Sequence, residues 1–460
     1  MESSRPELLS IATLEPWTAK QSLLLTTLIE ALILLLLTAN LGRIPVVSTG
    51  ESSAPLLIND LAVGLVVCLG LAVGVTTRSF RIDRVGLTGI LFAMIGASSA
   101  VSTAHSYGFS TFELALSLAY LARWMLYFGV YLVLINVVKR RDVNGIWSAV
   151  ETMLLIFAAF GIVQAAFLPG FAQIVYPESR AYLDWDIQGH RLVSTVLEPN
   201  IAAAMLLVGL LVQLAQLSVG VRVPRWRPLL LFLALVLTLS RSGALGLVAG
   251  VGTILIARGL SKRLLRWIVV VTGLVLVALP KLITFAATYG KFSSGGSAAA
   301  RVLSWVQALR VFRDHPLFGV GFNTFGFVQE RYGYVRFGTA AYSSDGGLLF
   351  IAVLTGVVGL AVYVWMLYAI VRRCRAIWRD RELPAEYRGL AIGMTAVIVG
   401  LCVDSVFVNS LLTTFVMELF WILCALTFSI ATDQRAAGRM RSSSISSLGA
   451  RPVPSLRVEV

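Results

Sequence analysis

The chain has 460 residues, of which 57% are hydrophobic and only 13% charged, about half the charged share of soluble proteins. So much apolar surface cannot be hidden inside one soluble core, so the composition excludes a soluble globular protein and implies elements that face lipid. The formal net charge of +14 does not signal nucleic acid, because the Lys and Arg residues cluster in short loops between apolar runs, where anionic lipid and topology account for them.

Runs such as Leu56 to Val75 are continuously apolar rather than alternating, which selects helices. The sequence predicts an all-α polytopic membrane protein of about twelve spans. They fall near 22–41, 57–76, 85–104, 112–138, 145–169, 197–218, 227–240, 243–258, 267–287, 346–370, 389–408 and 411–431. Lys20 precedes an apolar run long enough to span, so no cleavable signal peptide is expected. Cys68, Cys402 and Cys424 fall inside spans and Cys374 in a basic loop, with no disulfide or metal framework.

Alternate loops are basic. Arg78, Arg81 and Arg84 come first, then Lys139 to Arg141, then Arg222, Arg225 and Arg227. Arg258, Lys262, Arg263 and Arg266 follow, and then six arginines between Arg372 and Arg388. The positive-inside bias therefore puts both termini in the cytoplasm, provided that 227–258 crosses twice. The first half of that double crossing, Pro228 to Ser240, is on the order of 20 Å long. Its turn, Ser240-Arg241-Ser242-Gly243, is expected within the outer leaflet, where a buried Arg is costly unless it meets an anion.

The expected organisation is a short cytoplasmic segment at 1–21, one transmembrane domain at 22–431, and a disordered cytoplasmic tail rich in Ser and Arg at 432–460. Two outer segments are long, at about 169–200 and 290–345. In the second, Val302, Trp305, Val306, Leu309 and Phe312 recur at helical spacing, with Ser304, Gln307 and Arg310 opposite and Arg301 at the border. This pattern predicts a helix at the outer membrane surface.

Arg191, Arg241, Arg301 and Arg310 are the first candidate constellation, because the guanidinium fork matches phosphate oxygens in pairs. Several of them converging at the outer leaflet would suit a diphosphate carried on a lipid; snorkelling, or pairing with Asp186 or Glu198, is the alternative. Asp345 and Glu198 open spans, and either could act as a general base or simply cap its helix. His190 and His315 are candidate proton carriers, although Asp314-His315-Pro316 also reads as a structural loop. Within the spans, Glu30, Glu151, Arg123, Asp404 and Glu418 need partners; an Arg123 pair with Glu151 or Glu30 would be structural glue, and a proton relay is the weaker alternative, since the acids form no evident chain.

Three stretches add up to a family pattern: Arg191-Leu-Val-Ser-Thr-Val-Leu-Glu-Pro199-Asn200; Leu237-Thr-Leu-Ser240-Arg241-Ser-Gly243; and Arg301 through Trp305 with Phe312-Arg-Asp-His-Pro316-Leu-Phe-Gly319-Val-Gly321. Asp345-Gly-Gly-Leu-Leu and Thr355-Gly356-Val-Val-Gly359-Leu follow. Their order and spacing across roughly 185–370 resemble the O-antigen ligase and O-antigen polymerase superfamily of bacterial surface-polysaccharide assembly. The resemblance implies a GT-C-like, metal-independent, inverting glycosyltransferase without a cofactor, acting at the outer face of the cytoplasmic membrane. Its substrate would be an undecaprenyl diphosphate-linked oligosaccharide. Anionic membrane lipids, a flippase and a chain-length regulator would be partners, and nucleic acid would not. The resemblance assigns Arg191, Arg241 and Arg301 to the diphosphate. Ligases carry a His where this chain has Asp345, followed by an Asn where it has Gly346, so the pattern leans to a polymerase with Asp345 as base or acceptor-sugar ligand. A ligase acting on lipid A core stays open. So does a lipid-linked sugar flippase or transporter, against which stand the absence of internal repeats and of Gly- or Pro-broken paired helices.

Overall fold

The computed structural model describes residues 19–44, 48–49, 52–53, 55–76, 80–176, 190–259, 296–334 and 346–429, with backbone alone at 19–23, 25, 48–49, 52–53 and 296–302. Helices dominate them. Those longer than ten residues are, in chain order, α1 (Ala19–Leu35), α2 (Ile58–Thr76), α3 (Arg84–Tyr107), α4 (Thr111–Val137) and α5 (Val143–Phe167). Next come α6 (Pro199–Ser218), α7 (Trp226–Leu237), α8 (Arg241–Ala257) and α9 (Gly296–Asp314). The last are α10 (Gly347–Arg379), α11 (Ala385–Asp404) and α12 (Thr414–Ser429). The strands among the described residues are two-residue pieces, such as the antiparallel pair Arg43–Ile44 and Leu56–Leu57.

Seven helices, α2 to α6, α10 and α11, are long and apolar enough to cross a membrane, so this is an integral membrane protein. Parts of α1 and all of α7, α8 and α12 are shorter apolar helices. The described residues therefore hold seven full-length spans rather than twelve. A helix such as α7 covers only about 18 Å. The expected span at 267–287 and the tail at 432–460 lie outside the described residues.

The bundle is organised around α6, which is buried without interruption from Ala202 to Val212. Small residues let its neighbours approach closely, as they do between helices in lipid. A Cβ on Gly243, Gly246 or Gly250 of α8 would fall within 2.9 Å of Ala203, Leu207 or Leu211. A Cβ on Gly393 of α11 would lie 2.9 Å from Val212 Cα. These contacts run α8 parallel and α11 antiparallel to α6. Leu231 of α7 packs by Gly209, and Arg227 reaches Glu151 near the start of α5, so α7 runs the other way. The predicted double crossing is thus a reversal at Thr238–Ser240.

The buried charges pair differently from expectation. Arg123 bonds Asp60 at 2.7 Å and the Pro55 carbonyl, while Glu151 takes Arg227 at 2.6 Å and Gln213 at 2.9 Å. Asp60 at the start of α2 was the missed partner, and Arg227 reaches in from the basic end of α7. Glu418 is bonded by Asn59.

Two further departures concern the 300–379 region. The face that α9 buries is Ser304, Ala308 and Val311, leaving Leu303, Val306 and Leu309 exposed. The helix thus shows an apolar stripe outward and tucks small residues against the bundle. Val306 and Leu309 of the expected apolar face stay exposed, as a helix lying on a membrane surface requires; the departure is Ser304, which the sequence sets on the polar face and the bundle buries. Next, α10 continues past the expected end to Arg379, so Cys374 is buried in a helix rather than set in a loop.

Helix α10 is also broken. Gly356 takes φ 65° and ψ −170°, and the freed backbone groups are satisfied by the Pro316–Gly321 segment. Val357 N donates to Pro316 O at 2.8 Å and Val358 N to Leu317 O at 3.2 Å. Val320 N and Gly321 N donate to Val353 O and Leu354 O at 2.9 and 2.8 Å. Irregular backbone at membrane depth survives only when protein pairs it. A single glycine-broken helix is therefore present among the described residues, and its partner is a loop and not the second broken helix of a transporter pair.

A Cβ on Gly356 would lie 2.1 Å from Leu317 O. Gly356→Ala should therefore cost at least roughly 2 kcal/mol from backbone strain and overpacking, whereas Gly333→Ala, which meets nothing within 4 Å, should cost about 1 kcal/mol. Thermal unfolding in detergent would show this difference; equal losses would contradict the pairing.

Candidate functional site

Two of the motif segments meet where α5 and α7 finish and α6 and α8 begin. The segment before α6 is an irregular buried loop anchored on Gln164 of α5. The Gln164 side-chain oxygen accepts from Val193 N at 2.9 Å and Ser194 N at 3.2 Å, and the Ser194 hydroxyl donates to Phe157 O at 2.8 Å. Asn40 Nδ2 donates to Val196 O at 2.7 Å, and the Tyr176 hydroxyl donates to Asn40 O at 2.9 Å. Ser194 and Leu197 have φ of 50° and 60°, and Leu239 in the facing turn has 53°. Non-glycine residues held there cost of order 1–3 kcal/mol each and are kept where surrounding structure fixes them.

Arg191 ties this loop to the α7–α8 turn. Its Nε donates to Thr238 O at 2.8 Å and one terminal nitrogen to Asn200 Oδ1 at 3.3 Å, while Leu192 N donates to Leu237 O at 2.9 Å. Asn200 Oδ1 also accepts from the Ser240 hydroxyl at 3.1 Å. Ser240 caps α8 through Gly243 N at 3.3 Å and lies 3.1 Å from the Ser242 hydroxyl. Arg241, the first residue of α8, is exposed. The motifs around Arg191 and Arg241 are therefore one hydrogen-bonded unit.

Glu198 sits in the same unit as the cap of α6. One oxygen accepts from Asn200 Nδ2 at 2.8 Å and Asn200 N at 3.2 Å, the other from Ile201 N at 2.8 Å. Both oxygens serve the cap, and through Asn200 the acid orients Arg191. His190 is exposed beside Arg191.

The other predicted residues lie apart from this unit or outside the description. Arg310 is exposed on α9. Arg301 lies on α9 with its side chain outside the described residues, and Asp345 lies outside them too. His315 sits in the loop that mends α10. Its Nε2 is 2.6 Å from the Tyr107 hydroxyl, which lies 3.4 Å from that of Tyr332, and Tyr332 donates to Asp314 at 2.8 Å. Burial above all, and these hydroxyl and carboxylate neighbours next, raise the Tyr332 pKa well above that of an ordinary phenol, so it stays a donor. A cavity of about 610 Å³ opens between α3 and His315–Gly319, and among the described side chains Arg191, Arg241 and Arg310 do not line it.

Gln164, Asn200 and Ser240 were missed as site residues. The signal was a lone Gln in an apolar helix and an amide directly after the Glu-Pro helix start, both of which demand partners in lipid.

Residues 229–364 match the family model described as O-Antigen ligase. The stretch similar to that family lies within the membrane bundle and reaches from α7 through the Ser240 turn and α9 past the break in α10. That family implies an enzyme that transfers lipid-linked glycans. No curated protein matches the chain.

Arg191→Lys keeps the charge but cannot hold Thr238 O and Asn200 Oδ1 together, because an ammonium lacks the fork. Thermal stability in detergent should fall by about 1–3 kcal/mol; an unchanged unfolding curve would show that Arg191 does not tie the two segments.

Proposed function

We propose that the protein is a polysaccharide polymerase. It moves glycans from undecaprenyl diphosphate to a sugar hydroxyl of another lipid-linked repeat unit at the outer face of the cytoplasmic membrane. The observation that carries this reading is the joining of the Arg191 and Arg241 segments through Thr238, Asn200 and Ser240. It puts two guanidiniums on one rigid support, one already oriented by backbone and amide oxygens, the other exposed at a helix start where anions are favoured.

The chemistry requires positioning and charge. The acceptor hydroxyl attacks the anomeric carbon, its proton passing to a base. The bond from that carbon to the diphosphate oxygen breaks, and the arginines bind the diphosphate more tightly as its charge develops. One displacement inverts the anomeric carbon. Asp345 is the proposed base or acceptor ligand, from its place just before α10. Glu198, with both oxygens committed to the cap, is a positioning residue in this scheme. Arg301 is the third diphosphate ligand, while Arg310, exposed beyond it, and His190 are peripheral. The family description favours a ligase as the second reading; the acid at 345 in place of a His favours the polymerase.

The test is purified protein with undecaprenyl diphosphate-linked repeat units and no added metal, products being separated by size. A ladder of longer lipid-linked glycans with release of undecaprenyl diphosphate supports the polymerase. Transfer only after lipid A core is added supports the ligase, and no transfer to either sends the assignment to a flippase or transporter. Replacing Arg191 and Arg241 together by Ala should lower kcat on the order of 10²-fold or more. Wild-type turnover in that variant would rule out the diphosphate clamp.

A further inference from the structure

The cavity between α3 and the loop that mends α10 lies apart from the arginine unit and takes its whole lining from those two elements. Met94, Ser98, Ser102 and Ser106 line it at four-residue intervals, so it follows one face of α3 for about 18 Å. Across from them stand His315 to Gly319. That loop is fixed on both sides. Val357 and Val358 of α10 donate to its carbonyls, and the Ser99 hydroxyl of α3 donates to Gly319 O at 3.0 Å. The volume of about 610 Å³ is that of an ordinary preformed ligand site.

The α3 wall is rich in serine, yet it offers a ligand few donors. The Ser98 and Ser106 hydroxyls donate to the carbonyls of Met94 and Ser102 one turn back, at 2.8 and 3.0 Å, and Ser99 is spent on Gly319. Serine bonded in this way leaves a smooth floor of small side chains. Met94, Leu317 and Phe318 are exposed along the edge. Because α3 is a spanning helix, that edge faces lipid chains. Met94 lies about 20 Å below the end of α3, past the middle of a hydrocarbon core about 30 Å thick.

The other end is polar. Tyr107 meets His315 there at 2.6 Å. The last turn of α9, which runs into His315, carries exposed Arg310 and Arg313 against Asp314, which Tyr332 already engages. Helix α4 separates α3 from α5, so α3 and α5 finish at the same end of the bundle, where the arginine unit also lies.

A deep apolar groove open sideways to lipid and topped by guanidiniums suits a hydrocarbon chain with an anionic head. Transfer between two lipid-linked units needs two lipid places. The donor diphosphate must sit at the reacting carbon. The acceptor glycan hangs from its own diphosphate by its reducing end, so its attacking hydroxyl lies up to an oligosaccharide's length away. The acceptor lipid therefore belongs at the same membrane face but apart from Arg191 and Arg241.

We propose that the groove between α3 and His315–Gly319 seats the polyprenyl chain of the acceptor lipid, with Arg310 and Arg313 at its diphosphate. The acceptor role rests on the polymerase reading; the chain site does not.

The test combines crosslinking and kinetics on the full chain in nanodiscs of zwitterionic phospholipid. A polyprenyl diphosphate with a diazirine on its chain should label the segments 94–106 and 317–318. Ser102→Trp fills the groove and should cut that label about tenfold or more. Ser98→Leu fills it from a second position and covers the case in which Ser102→Trp does not fold. With a donor whose own acceptor hydroxyl is blocked, both variants should raise the KM for the lipid-linked acceptor about tenfold or more, the loss of about two buried CH₂ groups. No label in the groove, or label that ignores both variants, overturns the chain site. Label that excess phosphatidylglycerol removes as readily as unlabelled polyprenyl diphosphate makes it a phospholipid site and overturns the polyprenyl assignment. An active enzyme that labels in the groove, but whose acceptor KM ignores both variants, overturns the acceptor role and leaves the transfer reading intact. A protein that transfers nothing yet labels there overturns the transfer reading and keeps the chain site.

Discussion

Lipid offers no hydrogen bonds, so every backbone group freed from a helix inside the membrane must be paired by protein. The structure depends on meeting that constraint twice. Where α10 breaks at Gly356, the Pro316–Gly321 segment supplies the missing donors and acceptors from both sides of the break. Where the chain leaves α5 and re-enters at α6, Gln164, Asn40 and Glu198 do the same for a loop with two residues at positive φ. Each repair fixes an irregular stretch of backbone at the end of the bundle where regular helices would leave nothing to grip a ligand.

In the proposed function the second repair carries the chemistry. Arg191 serves two ends at once: it stitches its loop to the α7–α8 turn, and it is thereby oriented beside Arg241. Glu198 contributes through Asn200, so the acid, the amide and the arginine form a relay of position rather than of protons. The close glycine contacts of α8 and α11 with α6 extend this rigidity, since helices held at small separation cannot slide and carry the turn away.

Much of this was legible from sequence. Composition and unbroken apolar runs gave the class, and the need for a double crossing at 227–258 anticipated the Ser240 turn. The order of motifs pointed to the family that the 229–364 match bears out. Pairing at a distance was not legible. Arg123 finds Asp60 on α2 rather than Glu151 or Glu30 because helix neighbours, not spacing along the chain, decide which charges meet. Nor was the inward face of α9 legible: in lipid a hydrophobic side chain gains little by turning inward, and small residues such as Ser304 and Ala308 pack instead. The Asp314-His315-Pro316 motif opens the loop that mends α10, and the His315 ring bonds Tyr107.

The central claim is that one hydrogen-bonded unit presents Arg191 and Arg241 together to a lipid diphosphate. An experimental structure of the protein with undecaprenyl diphosphate tests it most directly. The account predicts the diphosphate oxygens within hydrogen-bond reach of both guanidiniums at the α6 and α8 starts. A diphosphate seated elsewhere, for instance in the cavity between α3 and His315, with Arg191 and Arg241 untouched, would contradict it.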